Sequence, residues 1–129
     1  MTLLMGMILE CSEGKGTLIA AYGDQLTASE CQEMIHLLEM NNIDALIEAG
    51  LPDGTHLAHK HGFIDDTHGD VAIIWGPQGP YALGIFLYHP TWLEWELSNG
   101  MMQDIARATW NFFAFRADLE KQETERPHG

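Results

Sequence analysis

The feature that most constrains the fold is a pair of apolar runs, residues 71–75 and residues 81–88, separated by the sequence Gly-Pro-Gln-Gly-Pro. Continuous apolar runs of this length, bounded by turn residues, are typical of strands that are covered on both faces. Glycine and proline between them are turn formers, so we expect the two runs to pair as antiparallel strands.

Residues 51–62, with the sequence Leu-Pro-Asp-Gly-Thr-His-Leu-Ala-His-Lys-His-Gly, predict a third strand that ends at an open rim. Pro-Asp-Gly is turn chemistry, so a new element should run from Thr55 to His61. Alternation along this strand places Lys60 on one face and His59 and His61 on the other. Gly62 leaves the backbone uncovered, so an anion held by Lys60 could approach main-chain N–H groups. The competing interpretation is that Lys60 is an ordinary solvated charge.

Helical periodicity predicts helices near residues 1–12, 27–41 and 100–117. The second begins with a capping box formed by Thr27 and Glu30. With strands near residues 55–61, 70–75 and 81–88, these elements predict an α+β fold in which helices pack on one face of a three-stranded antiparallel sheet. The charged residues 118–129 predict a disordered tail that follows a domain of residues 1–117.

Four stretches, taken together, resemble the C-terminal part of the class A β-lactamase-like serine hydrolases, a penicillin-recognising family. They are Leu-Pro-Asp-Gly at residues 51–54, His-Lys-His-Gly at 59–62, Gly-Asp-Val-Ala-Ile-Ile-Trp-Gly-Pro at 69–77 and Gly-Pro-Tyr-Ala-Leu-Gly-Ile-Phe at 79–86. In that family a Leu-Pro-x-Gly turn leads into a strand ending in Lys-Thr-Gly, followed by two antiparallel strands and a last helix. The resemblance extends over roughly residues 1–116, but it corresponds only to about the second half of a family domain.

The resemblance assigns the site to the end of the third predicted strand. It implies that Lys60 holds the carboxylate of a β-lactam or peptide-like substrate and that the N–H of Phe63 is one oxyanion donor. His61 and Gly62 complete the substrate-binding side. Where the family commonly has threonine or serine this chain has His61, so the hydroxyl contact to a substrate carboxylate is lost. The resemblance implies no cofactor and no metal.

The family's nucleophile motif Ser-x-x-Lys, its Ser-Asp-Asn loop and its glutamate loop have no convincing match. Ser12 and Lys15 have the spacing, but glycines flank Lys15 and we interpret the match as coincidence. The sequence Ser-Asn-Gly at residues 98–100 is a different motif on the wrong side of the strand. We therefore expect the chain alone not to hydrolyse such substrates.

Two other function classes stay open. A non-catalytic interaction module would use the edge of the strand at residues 81–88, which we expect to be uncovered and prone to self-association. A metal-binding module would use His59 and His61 together with His68 or Asp70.

Charge limits the possible partners. The chain has 19 Asp and Glu against 6 Lys and Arg, with a net charge of -13, which disfavours nucleic acid and anionic lipid surfaces. An anionic small molecule could still be attracted to one cluster, formed by His56, His59, Lys60, His61 and His68.

Cellular location stays open from the sequence. No apolar window of membrane-spanning length occurs, and residues 1–9 lack the basic start of a signal peptide, although relatives of the resembled family are usually exported. Cys11 and Cys31 lie on apolar helical positions and are interpreted as small core residues rather than as a disulfide.

Overall fold

A three-stranded antiparallel sheet with helices on both faces forms the core of the computed structural model, which describes residues 1–127. The elements in chain order are α1 (Thr2–Ser12), α2 (Thr17–Tyr22), α3 (Ala28–Glu39), α4 (Leu46–Gly50), β1 (Leu57–Phe63), β2 (Thr67–Gly76), β3 (Gly79–Tyr88) and α5 (Trp95–Glu125). The α+β fold predicted from the sequence, with its three antiparallel strands, is confirmed.

The strands follow one another across the sheet in the order β1-β2-β3. The first hairpin is tighter than the predicted strands near residues 55–61 and 70–75 imply, because Ile64 and Thr67 exchange backbone hydrogen bonds of 2.8 and 3.4 Å. This pairing extends β1 to Phe63, beyond the predicted end at residue 61. Among residues 1–127, one edge of β1 and one edge of β3 have no strand partner.

Helices cover both faces of the sheet, whereas we expected them on one face. On one side α1 and α3 pack against the strands, through a cluster of Met5, Ile35, Ala58, Val71 and Ile73. On the other side α4 and α5 pack, through a cluster that includes Leu46, Ile47, Ile74, Met102 and Ala106. The central strand β2 has apolar side chains on both of its faces, so burial of both faces is favourable.

Helix α5 is longer than predicted at both ends. It begins at Trp95 rather than near residue 100, and the Ser-Asn-Gly segment of residues 98–100 lies inside it. Glu94 is its N-cap and makes no side-chain hydrogen bond to the first turn. At the other end the helix continues past residue 117 to Glu125, while a domain limit at residue 117 stays a prediction. No helix within residues 1–127 is long and apolar enough to cross a bilayer.

The two cysteines form a disulfide, which corrects the interpretation of Cys11 and Cys31 as independent core residues. Both are fully buried, and their Cα atoms lie 5.8 Å apart. Helical spacing indicated correctly that each cysteine faces the core. It could not show that α1 and α3 pack through these two faces.

Candidate functional site

The free edge of β1 carries the backbone groups of the candidate site. In an antiparallel pair, bonded and non-bonded positions alternate along the strand. Ile64 is bonded to β2, so Phe63 and His61 are non-bonded positions whose N–H and C=O point away from β2. The same alternation applies to His59, whose carbonyl accepts a hydrogen bond of 2.7 Å from Asn41 Nδ2 across this edge.

Lys60 places its ammonium at the same edge. Its side chain is exposed, and Nζ donates a hydrogen bond of 2.7 Å to the carbonyl oxygen of His61. Gly62 leaves the adjacent backbone open, because a Cβ at this position would have no heavy atom within 4 Å. One short stretch of β1 therefore carries the Lys60 ammonium, the uncovered backbone at Gly62 and the N–H of Phe63, which points away from β2.

Two cavities meet at the end of β1. One, of about 590 Å³, lies on the face of the sheet that α1 covers and includes Lys60, Gly62, Val71 and Phe86 in its lining. The other, of about 500 Å³, lies beside the start of α5 and is lined by residues that include His68, Trp92 and Trp95. His61 and Phe63 border both cavities.

His61 lies between the two cavities, and one nitrogen of its side chain lacks a hydrogen bond within residues 1–127. Its Nδ1 is buried and has no hydrogen-bond partner within the described residues. The exposed ring of Phe63 lies beside it, in edge-on contact with Trp95 at 5.4 Å between ring centroids. His61 therefore carries a buried hydrogen-bonding group that the described residues leave without a partner.

His59 is inside the protein rather than at the site. It is fully buried, Nδ1 lies 3.0 Å from Asp70 Oδ1, and Nε2 lies 2.8 Å from the carbonyl oxygen of Asn41. Both ring nitrogens face acceptors, so both donate and the ring is an imidazolium. Burial alone would lower the pKa of His59, but the hydrogen bond and charge of Asp70, then the Asn41 carbonyl, then the charge of Glu48 outweigh it and raise the pKa above 6.5.

The cationic cluster expected from the sequence is divided by the fold. His56 stacks on Trp75 at 3.8 Å and lies 2.7 Å from Glu39. His68 is buried and is hydrogen-bonded to Ser98. Of the five predicted members, only Lys60 and His61 face the cavities at the open end of β1 without an acidic or hydroxyl partner in the described chain.

The geometry disfavours the metal-binding interpretation. Within residues 1–127 no three His, Cys, Asp or Glu side chains converge as a metal site would require. Both nitrogens of His59 are already occupied by Asp70 and Asn41, so His59 and His61 cannot share a cation in this arrangement.

The match of Ser12 and Lys15 to the nucleophile motif Ser-x-x-Lys has no support from the side-chain contacts either. Ser12 Oγ donates to the carbonyl oxygen of Leu9, and Lys15 forms an exposed ion pair of 3.1 Å with Glu13. A serine nucleophile needs a nearby base, and Lys15 is engaged elsewhere.

Sequence reasoning did not identify the network beneath the site. Asp70 lies opposite His61 in the strand register, accepts from His59, and also accepts from the backbone N–H of Ile47 at 3.2 Å. The available signal was an acid at the start of an apolar run, one strand away from a histidine. The sequence alone indicates Asp70 only as a possible metal ligand.

Comparison with known proteins gives a consistent result. A family model described as the β-lactamase enzyme family matches residues 16–113. A β-lactamase from Bacillus licheniformis is 40% identical over 68 residues, which cover 50% of this chain and 22% of that protein. The chain thus spans about a fifth of the length of this curated relative.

Solved structures show the same fold. PBP-A superposes with a TM-score of 0.67 at 18% identity, covering 88% of this chain and 38% of that one. A β-lactamase from Xanthomonas campestris gives 0.61 at 26% identity, with 73% and 36% covered. The last common ancestor of Gram-negative bacteria class A β-lactamase gives 0.60 at 24% identity, with 74% and 37% covered. A mutant of PBP-A has been solved as an acyl-enzyme complex with penicillin G.

Proposed function

The chain belongs to the β-lactamase enzyme family, and we propose that it supplies the carboxylate-binding and oxyanion side of a serine hydrolase site that acts on β-lactams or related amides and esters. The observation that carries the proposal is the placement of Lys60, Gly62 and the Phe63 N–H along the free edge of β1. In such a reaction the serine attacks the carbonyl carbon, and the developing oxyanion needs N–H donors near it.

Lys60 would bind the substrate carboxylate. An ammonium about 4 Å from a carboxylate gains on the order of 4 kcal/mol at an effective dielectric of 20, before the cost of desolvation. The net charge of -13 repels anions over most of the surface, so this edge would be the favourable place for an anionic substrate.

The N–H of Phe63 would be an oxyanion donor. Its position in the ladder directs it away from β2, so using it in catalysis costs no sheet hydrogen bond. Gly62 keeps the approach to this N–H free of side-chain atoms.

His61 would contact the substrate in place of the family's hydroxyl residue. Its unpartnered Nδ1 would donate a hydrogen bond to a substrate carboxylate when that nitrogen is protonated. If His61 contacts the substrate carboxylate more weakly than the family's hydroxyl residue does, His61→Thr should increase turnover of carboxylate-bearing substrates. This turnover is measured in a mixture that supplies the serine nucleophile. Lower turnover would indicate that His61 defines a different substrate.

Ser98 is hydrogen-bonded to His68 near these groups but is fully buried, and Ser12 has no base beside it among the described residues, so we expect the chain alone to be inactive. A chromogenic β-lactam assay of the wild-type chain and of Ser12→Ala tests this. Turnover that depends on Ser12 would contradict the proposal.

Binding can be tested separately from turnover. Titration with benzylpenicillin, followed by amide chemical shifts, should move the Phe63 resonance in the wild-type chain and move it much less in Lys60→Ala. Lys15→Ala is the matched control, because Lys15 is also an exposed lysine but lies between α1 and α2. Equal shifts in both variants would refute the assignment of Lys60.

A second candidate function is a non-catalytic interaction module that self-associates through β3. It is favoured by the free edge of β3 and by the exposed side chains of Phe86 and Tyr88 on that strand. Sedimentation over a range of concentrations tests it, and a monomer at high concentration would count against it.

A further inference from the structure

Helix α5 has an apolar stripe that the other elements within residues 1–127 leave uncovered. We define the α5 stripe as Leu97, Met101, Ile105, Ala108, Phe112, Phe115 and Leu119. Each of these residues is exposed, with Phe112 at 55% and Phe115 at 62%. Their spacing of three or four residues places them on one side of the helix, separate from the side that carries the buried Met102 and Ala106.

The stripe is nearly symmetric about its smallest member. Leu97 and Leu119 lie at equal distances in sequence from Ala108, as do Met101 and Phe115. When two copies of such a helix pack antiparallel, each large residue meets its counterpart and the small residue lies at the crossing point, where the helix axes are closest.

Strand β3 lies beneath the helix and is placed to share the same two-fold axis. It runs antiparallel to α5, because Gln78 Nε2 donates to Glu120 at 2.7 Å and the ring of Tyr81 lies 4.5 Å from that of Phe113. Further along, Ile85 packs in the same cluster as Met102 and Ala106. Ala108 therefore lies over the middle of β3, so one two-fold axis can relate both two copies of α5 and two copies of β3.

We propose that a second copy of this chain docks on the α5 stripe, with the two copies of α5 antiparallel and crossing at Ala108. This inference rests on the self-association proposed above for the β3 edge and extends that interface to the helix layer. The result would be a six-stranded sheet with the two helices side by side on one face.

The charges that would meet and the surface area that would be buried are both compatible with a second copy of this chain as the partner. On the flank of the stripe, antiparallel packing about Ala108 places Asp104 near Asn111 of the other copy and Asp118 near Gly100, so no like charges meet. Six large side chains that are about half exposed present on the order of 600 Å² per copy, and a pair would bury on the order of 1,200 Å², the lower limit for a stable interface.

Cross-linking through an introduced cysteine tests the axis directly. The chain has two cysteines and they pair with each other, so Ala108→Cys would carry the only free thiol. Oxidation should produce a covalent dimer of Ala108→Cys, because only residues close to a two-fold axis meet their own copies. Arg107→Cys is the control: the adjacent position is also exposed but lies about 100° around the helix from Ala108, away from the two-fold axis, and it should remain uncrosslinked.

Substitution of the stripe tests its energetic role. Phe112→Asp/Phe115→Asp should weaken the dimer by about 100-fold or more in sedimentation equilibrium, since both side chains are exposed in the single chain and their loss should spare its fold. Tyr22→Asp, at an exposed aromatic residue of α2, should leave the dimer unchanged.

The outcomes separate this inference from the proposal on which it rests. A wild-type monomer would overturn both. A dimer that survives Phe112→Asp/Phe115→Asp but is abolished by Phe86→Pro, which removes an outward N–H of β3, would overturn the role of the α5 stripe and leave an interface at the sheet edge alone.

Discussion

The substitution Asp70→Asn tests the buried ion pair beneath the candidate site. It retains the side-chain shape but removes the charge that faces the fully buried imidazolium of His59. Removal of one partner from a buried pair costs about 3 to 5 kcal/mol, because the other charge remains buried without compensation. This is a large part of the 5 to 15 kcal/mol by which domains are typically stable.

Urea unfolding at one fixed protein concentration is the appropriate assay. With a slope of about 2 kcal/mol per molar urea, the midpoint should fall by about 2 M in Asp70→Asn. Asp104→Asn is the control, since its ion pair with Arg107 is exposed and contributes less than about 1 kcal/mol. A cost below about 1 kcal/mol for Asp70→Asn would refute the claim that this pair joins β1 to β2.

The same pair gives a pH dependence with a definite sign. The pKa of His59 is raised above 6.5 in the folded chain, so its contribution to stability is complete below pH 6.5 and is lost as the pH rises through the folded pKa. The urea midpoint should therefore decrease in the wild type as the pH rises from 6.5 through the folded pKa of His59, and His59→Gln should remove this decrease. Identical pH profiles for the two proteins would show that His59 does not titrate in this way.

Two further predictions concern stability. Replacement of Cys11 and Cys31 by alanine should lower the free energy of unfolding by about 3 kcal/mol, given the 20-residue separation of the bridge, and a urea midpoint equal to that of the oxidised wild type would contradict this. Gly50→Ala should destabilise by more than about 2 kcal/mol, because its Cβ would overlap the backbone of Gln103 in α5. Gly6→Ala, in the open interior of α1, is its matched control and should be stabilising by about 0.5 to 1 kcal/mol; the opposite ranking in thermal unfolding would count against this packing of α4 on α5.

The sheet was predictable because its signals are local. Uninterrupted apolar runs and the turn residues between them were enough to predict β2 and β3, and the Pro-Asp-Gly turn was enough to predict β1. The start of α5 at Trp95 was not predictable in this way, because Ser98-Asn99-Gly100 has the composition of a helix break. Its helix is stabilised by a tertiary contact, since Asn99 Oδ1 accepts a hydrogen bond of 2.7 Å from the N–H of Leu46.

The features missed at the site also depend on contacts between distant residues. The sequence placed Lys60, Gly62 and Phe63 next to one another, but the direction of the Phe63 N–H depends on which residues pair in the first hairpin. The partnership of His59 with Asp70 likewise depends on the register between β1 and β2. No periodicity within one strand could have revealed it.

Complementation of hydrolysis tests the central claim most directly. The N-terminal half of a class A β-lactamase, which carries the serine nucleophile, is mixed with this chain and nitrocefin hydrolysis is measured. The account predicts that the mixture hydrolyses nitrocefin, that neither half does so alone, and that Lys60→Ala reduces the rate by at least about 100-fold while Lys15→Ala leaves it unchanged. A mixture that is active with Lys60→Ala at the wild-type rate would contradict the assignment of this edge of β1 as the substrate-binding side.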